Sequence, residues 1–287
     1  MHRTRCQRPR RLPLCTLGRV RRIFVFVGGL VAIALGGCQR HAPPVLEGTE
    51  SLKVRVLASY PHDPNAFTQG LLMHRGKVFE STGLHGRSGV RRVELTRGEV
   101  EQRAELPTDL FGEGLALVDR DLIQLTWRNE KAIYWDLVSL RPYKEIAYEG
   151  EGWGLCFDGE RLVMSDGSDR LTFRDPRSFA ALGQVRVRKD GAPVTFLNEL
   201  ECVEGHVYAN VWQQEVIARI DPKTGNVTAW IDASGLLTPL ERAGTDVLNG
   251  IAHVPDSDKF LLTGKNWPKL FEVQFVPAEE RPQDEAP

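Results

Sequence analysis

The chain has 287 residues, 41% hydrophobic and 26% charged, which suits one large or two small globular domains. Its formal charge of −1 hides an uneven distribution: residues 1–22 carry eight arginines and no acid, leaving 29 basic residues against 38 acidic ones. A remainder with a balance of −9 does not suit nucleic-acid binding.

The first element reads as an export signal. The arginine-rich stretch runs into an apolar segment over 23–35, interrupted only by Gly28 and Gly29. That is short for a membrane span and right for a signal-peptide core. It ends in Leu35-Gly36-Gly37-Cys38, which resembles a bacterial lipobox. Residues 1–37 are therefore expected to be removed and Cys38 to be lipidated. Gln39 at the next position, by resemblance to lipoprotein sorting rules, points to the outer membrane and its periplasmic side. Arg21-Arg22-Ile23-Phe24 bears a faint likeness to a twin-arginine signal. Residues 38–52 are polar, contain Pro43-Pro44, and read as a tether. Residues 277–287 are charged and proline-rich and read as a disordered tail.

Between 53 and 276 there is no amphipathic helix of any length. Short runs of Val, Ile, Phe, Tyr and Leu alternate with Gly, Asp, Asn and Pro, the pattern of an all-β protein. Five segments repeat. They open with Phe67-Thr68-Gln69-Gly70-Leu71, Phe111-Gly112-Glu113-Gly114-Leu115, Glu151-Gly152-Trp153-Gly154-Leu155, Phe196-Leu197-Asn198-Glu199-Leu200 and Val247-Leu248-Asn249-Gly250-Ile251. Their third residues are 44, 40, 45 and 51 apart. Each opening leads into a strand, a tight turn and a second strand (77–81, 122–127, 161–165, 207–212, 259–263), with third and fourth strands after it. Five copies of four strands predict a five-bladed β-propeller with four-stranded antiparallel blades, a closed ring without exposed edges. The strand at 53–57 would complete the last blade as its outer strand.

The innermost strands of a propeller line its channel, so the third residues of the repeats, Gln69, Glu113, Trp153, Asn198 and Asn249, should converge at one mouth. Their neighbours are uniform, mostly Gly then Leu or Ile, while this position changes chemistry from repeat to repeat. A constant scaffold with one diversified position is how a site is grafted onto a symmetric frame. The ends of the second strands supply another varied set along the same rim: Glu80, Trp127, Asp166, Trp212 and Lys265. Trp127, Trp153 and Trp212 would form an aromatic wall, as a small-ligand pocket requires. Glu113, set between glycines at the mouth, would be partly desolvated and suited to moving protons.

Cys6 and Cys15 leave with the leader. Cys156 lies two residues after Gly154 and Cys202 three after Glu199, so they point to opposite faces of equivalent strands. On that count two buried thiols are favoured over a disulfide. The histidines are dispersed, no Cys/His cluster exists, and no phosphate loop or serine-nucleophile elbow occurs; neither metal nor cofactor is expected.

Ten motifs in order carry a family resemblance. To the five repeat openings are added Glu80-Ser81-Thr82-Gly83-Leu84, Leu125-Thr126-Trp127, Met164-Ser165-Asp166-Gly167-Ser168, Ala209-Asn210-Val211-Trp212 and Thr263-Gly264-Lys265-Asn266-Trp267. Together they resemble the plant and bacterial glutaminyl-peptide cyclotransferases over nearly all of 55–275. The resemblance implies a five-bladed propeller unrelated to the zinc-dependent animal enzymes. It implies conversion of N-terminal glutamine of peptides or proteins to pyroglutamate, with release of ammonia. It gives Glu113 the role of acid/base and makes Lys265, Gln69 and Asn198 the orienting and charge-stabilising groups. Trp127, Trp153 and Trp212 become hydrophobic walls with Phe67 nearby, and the substrate contacts extend to Glu80, Asp166 and Asn249. A monomer is expected, touching the membrane only through Cys38. Two other readings compete: a lactonase-type propeller hydrolase, which would need several channel carboxylates around calcium, and a non-catalytic envelope propeller that binds a partner.

Overall fold

The computed structural model describes residues 48–278, and among these it contains strands and turns but no helix. The leader, Cys38, most of the expected tether and all but the first residues of the expected tail lie outside the described residues.

The chain opens with β1 (Glu50–Pro61). Blade 1 follows as β2 (Thr68–His74), β3 (Lys77–Thr82), β4 (Gly89–Glu94) and β5 (Glu99–Glu105). Blade 2 is β6 (Gly112–Val118), β7 (Asp121–Thr126), β8 (Lys131–Asp136) and β9 (Pro142–Ala147). Blade 3 is β10 (Leu155–Phe157), β11 (Leu162–Ser165), β12 (Arg170–Arg174) and β13 (Ala181–Arg186). A two-stranded ribbon, β14 (Arg188–Lys189) and β15 (Ala192–Pro193), precedes blade 4, which is β16 (Leu197–Val203), β17 (His206–Val211), β18 (Val216–Ile220) and β19 (Val227–Asp232). The last group is β20 (Leu248–His253), β21 (Lys259–Gly264) and β22 (Lys269–Pro277). β1 completes it, pairing antiparallel with β22.

The first strands of these groups touch in a cycle: β2 with β6, β6 with β10, β10 with β16, β16 with β20, and β20 with β2. The propeller-like architecture read from the repeats is thus present. β1 starts at Glu50, inside the expected tether, and does more than close the last blade. Over Glu50–Lys53 it also pairs in parallel with β19 (Glu50↔Ala229 to Lys53↔Asp232), so blades 4 and 5 form one continuous eight-stranded sheet.

The core lies between blades rather than inside one sheet. Each junction between neighbouring blades holds its own apolar cluster. Leu72, Phe79, Leu115 and Trp135 fill the junction of blades 1 and 2, and Leu125, Tyr134, Leu155 and Met164 that of blades 2 and 3. Comparable clusters fill the other three. Burying a side chain of this size contributes about 1.5–3 kcal/mol each.

This geometry overturns the cysteine expectation. Cys156 and Cys202 form a disulfide, with Cα atoms 5.4 Å apart. They do lie on opposite faces of equivalent strands. Leu155 packs toward blade 2 while Cys156 packs toward blade 4, and Cys202 joins the blade 3–blade 4 cluster from the other side. Adjacent blades meet face to face, so opposite faces of equivalent strands are the ones that touch.

Candidate active site

The diversified position is held by a backbone irregularity. In four blades the inner strand breaks register within the repeat opening: between Thr68 and Gly70, Gly112 and Leu115, Leu197 and Leu200, and Leu248 and Ile251. Gln69, Glu113, Asn198 and Asn249 all sit within these bulges. In blade 3 the ladder starts only at Leu155, so Trp153 precedes it. A bulge bends its strand and re-aims a side chain, here toward the channel mouth. The glycines that follow let inner strands approach closely. A Cβ on Gly70 would stand 2.5 Å from the Leu115 nitrogen, and one on Gly114 2.5 Å from that of Leu155. Blade 4 has Glu199 at this position. Its carboxylate crosses the ring and accepts hydrogen bonds from the Leu71 (3.2 Å) and Ile251 (2.8 Å) amides. Burial and the nearby Glu201 push its pKa well above the usual carboxylate range.

A cleft of about 560 Å³ opens at the mouth. Eight predicted residues line it: Phe67, Gln69, Glu113 and Trp127, with Trp153, Asn198, Trp212 and Lys265. A backbone bond places three of them equivalently, since Trp127, Trp212 and Lys265 each donate an amide to the first residue of their own repeat (Phe111, Phe196, Val247; 3.0, 2.9 and 2.9 Å). Lys265 therefore occupies the position of a wall tryptophan, and its ammonium sits 4.9 Å from the centre of the Phe67 ring.

Glu113 is buried, and desolvation raises its pKa well above the usual range; the Lys265 cation opposes the rise and Glu151 adds to it. Burial lowers the pKa of Lys265, with Glu113 and Asp246 opposing. Gln69 Nε2 donates to Glu113 Oε1 at 3.0 Å, while Asn249 Nδ2 donates to Gln69 Oε1 at 3.1 Å and to the Thr68 carbonyl at 2.9 Å. Asn249 thereby fixes which way the Gln69 amide faces. The Glu113 carbonyl is held from behind by the Ser81 hydroxyl. Among the described residues Asn198 Oδ1 is buried and finds no hydrogen-bond partner, leaving an acceptor at the cleft wall.

Three predicted residues are not brought to the wall. Asn249 is fully buried behind Gln69. Glu80 belongs to a separate cluster in blade 1, with Arg91 (Nη2–Oε2 2.6 Å), His62 (Nε2–Oε1 3.2 Å) and the Thr68 hydroxyl (2.6 Å). Asp166 caps its own turn by accepting from the Ser168 amide at 2.9 Å, and the following Gly167, at φ +79°, makes room for the Trp153 ring.

The sequence reading missed Phe111, Phe196, Glu151 and Val247, which also line the cleft. All four are first residues of the repeat openings, equivalent to Phe67, which the family resemblance alone places near the site; the same column of the alignment carries the signal for them. Arg128, Gln213 and Asp246 complete the lip. A second cavity, of about 620 Å³, lies at the opposite end between blades 4 and 5 and is lined by Tyr208, Phe260 and Phe275. It collects none of the predicted residues. Among the described residues no group of three or more His, Cys, Asp or Glu is placed to hold a metal ion.

The family model for glutamine cyclotransferase matches residues 29–275 of the chain. The chain belongs to the glutamine cyclotransferase family. It is 42% identical over 234 residues to a glutaminyl-peptide cyclotransferase of Arabidopsis thaliana, covering 80% of this chain and 73% of the relative. It also superposes on the crystal structure of Myxococcus xanthus glutaminyl cyclase with a TM-score of 0.74 and 40% identity, over 80% of this chain and all of that one. The propeller-like, all-β architecture is thus that of a glutamine cyclotransferase, and the cleft is the natural place to look for its chemistry.

Proposed function

We propose that this chain converts the N-terminal glutamine of peptides to pyroglutamate, with Glu113 carrying the proton. The observation behind this is a buried carboxylate of raised proton affinity, held by Gln69 and facing Lys265, in an aromatic cleft sized for one side chain and its flanking peptide. The α-amine of the substrate attacks its own γ-carbonyl carbon. The new C–N bond closes a five-membered ring, the C–NH2 bond breaks, and ammonia leaves. Because the nucleophile and electrophile share one residue, holding the side chain in its folded-back rotamer supplies much of the rate. The Trp127, Trp153 and Trp212 walls restrict that rotamer.

Glu113, as carboxylate, accepts the proton that the attacking amine sheds and returns it to the departing nitrogen; no net proton is gained. Lys265 supplies positive charge near the developing oxyanion. The unpaired Asn198 Oδ1 suits an N–H of the substrate's amine or carboxamide. A glutamate side chain would offer it only an acceptor, a mismatch that favours glutamine.

The deciding experiment is ammonia release from a Gln-initiated dipeptide by the purified protein, with and without EDTA, beside Glu113→Gln. EDTA-resistant release that drops about 10²–10⁴-fold in a folded mutant supports the proposal. A mutant only twofold slower removes Glu113 as the proton carrier. A folded wild type that releases no ammonia favours a binding propeller instead.

The same reading includes location: an exported protein, lipidated at Cys38 and held as a monomer on the periplasmic side of the outer membrane. The Leu35–Cys38 motif supports it. Incorporation of labelled fatty acid that is lost in Cys38→Ser tests it.

A further inference from the structure

We propose that Glu151 is a positioning residue for the cyclisation: its carboxylate clamps two wall indoles, Trp127 and Trp153, into the substrate-binding geometry. The inference rests on the cyclase reading above.

The first residue of the repeat opening is Phe67, Phe111, Phe196 or Val247 in the other four blades, so the scaffold does not require a charge there. In blade 3 it is a carboxylate at the lip of an aromatic cleft. Two indoles from different blades converge on one of its oxygens: Trp127 Nε1 at 2.8 Å and Trp153 Nε1 at 3.0 Å, both to Oε2. Arg128 Nε donates to Oε1 at 2.8 Å, and its guanidinium lies 4.0 Å from the centre of the Trp127 ring. The arginine thus balances the charge and covers the outer face of one clamped ring.

The clamp reaches further through ring contacts. Trp153 stands edge-on to Trp212 at 5.8 Å, and Trp127 packs on Phe111 at 5.7 Å. Rings from blades 2, 3 and 4 are therefore registered through one carboxylate. Burial alone would raise the pKa of Glu151, but hydrogen bonds from Trp153, Arg128 and Trp127 outweigh it and keep the group ionised. Charge-assisted hydrogen bonds of this kind are about twice as strong as neutral ones. An indole N–H has no second donor or acceptor with which to compensate.

The test uses the purified full-length protein with a Gln-initiated dipeptide. Glu151→Gln keeps the size of the side chain but removes its charge. It is expected to raise KM about tenfold with a smaller change in kcat, and to shift tryptophan emission as the indoles lose their common partner. Glu151→Asp should restore part of both. Trp127→Phe and Trp153→Phe, which keep a ring but delete the N–H, should each raise KM severalfold, and Trp127→Phe added to Glu151→Gln should cost little more than Glu151→Gln alone. A folded Glu151→Gln with wild-type KM and emission overturns the clamp. So does a raised KM with unchanged emission, which would mean direct substrate contact. If Glu151→Gln does not fold, unchanged KM in both Phe variants overturns it. Absence of ammonia release from the wild type would instead sink the cyclase reading, leaving the emission of Glu151→Gln and Glu151→Asp to judge the clamp: an unchanged spectrum overturns it.

Discussion

Blade 1 and the channel mouth each bury a glutamate, Glu80 and Glu113, to nearly the same degree (1% and 4% exposed). Their fates are opposite. Around Glu80, burial alone would raise the pKa, but Arg91 and His62 outweigh it and hold the carboxyl far below the usual range. Arg91 is itself shared with Asp63 at 2.8 Å, and both Glu80 oxygens are occupied, Oε1 by His62 and the Thr68 hydroxyl and Oε2 by Arg91. Around Glu113, one amide donor and a more distant cation do not offset desolvation, and the proton affinity rises. Burial therefore does not mark a reactive carboxylate; incomplete pairing beside open space does.

The comparison can be broken from the structural side first. Arg91→Met strips Glu80 of its main partner and makes its surroundings resemble those of Glu113. Leaving a buried charge unpaired costs about 3–5 kcal/mol, so a large drop in denaturation midpoint is expected near neutral pH. The folded pKa of Glu80 lies below its unfolded value, so its contribution is complete above the ordinary value of 4.5 and is lost as the pH falls. The gap between wild type and mutant should accordingly narrow in acid. A midpoint unchanged at pH 7 would show that the cluster is not structural.

Lys265→Met sharpens the other side. It removes the charge that holds Glu113 down, so the pKa of Glu113 rises further, and the acid limb of the kcat profile moves to higher pH. Turnover at the plateau should fall about 10²-fold, the scale of losing one charge-stabilising donor. An acid limb that stays in place, or moves down, separates Lys265 from Glu113. The smallest effect is expected from Asn249→Ala, which frees the Gln69 amide to turn. One lost buried hydrogen bond corresponds to about 1–1.5 kcal/mol, or roughly a tenfold fall in kcat/KM. An unchanged kcat/KM would mean that Gln69 is oriented by something else.

The repeat spacing made most of this frame legible. It carried the strand pattern, the place of β1 at the edge of the last blade, and the convergence of Gln69, Glu113, Trp153 and Asn198. The end-of-strand alignment carried Trp127, Trp212 and Lys265. Glu80 misled because the partners that absorb it, His62 and Asp63 from the loop after β1 and Arg91 from β4, lie outside the two aligned columns. Phe111, Phe196 and Glu151 escaped because the expected channel lining reaches only the third column of the repeat openings, while the first column, just ahead of each inner strand, also lines the cleft. The disulfide escaped because alternation was counted along strands, whereas the relevant contact is between sheets. The parallel pairing of β1 with β19 has no local signal, since it depends on how two outer edges come to lie side by side.

That first strand has one more effect. Its start, near Leu52, pairs with Pro277 and borders the cavity far from the cleft, whereas its end at Pro61 pairs with Lys269, shortly after the cleft-lining Lys265. Both ends of the described chain thus leave side by side from the underside of the ring. The pairing that closes the ring therefore keeps both described ends away from the mouth of the cleft.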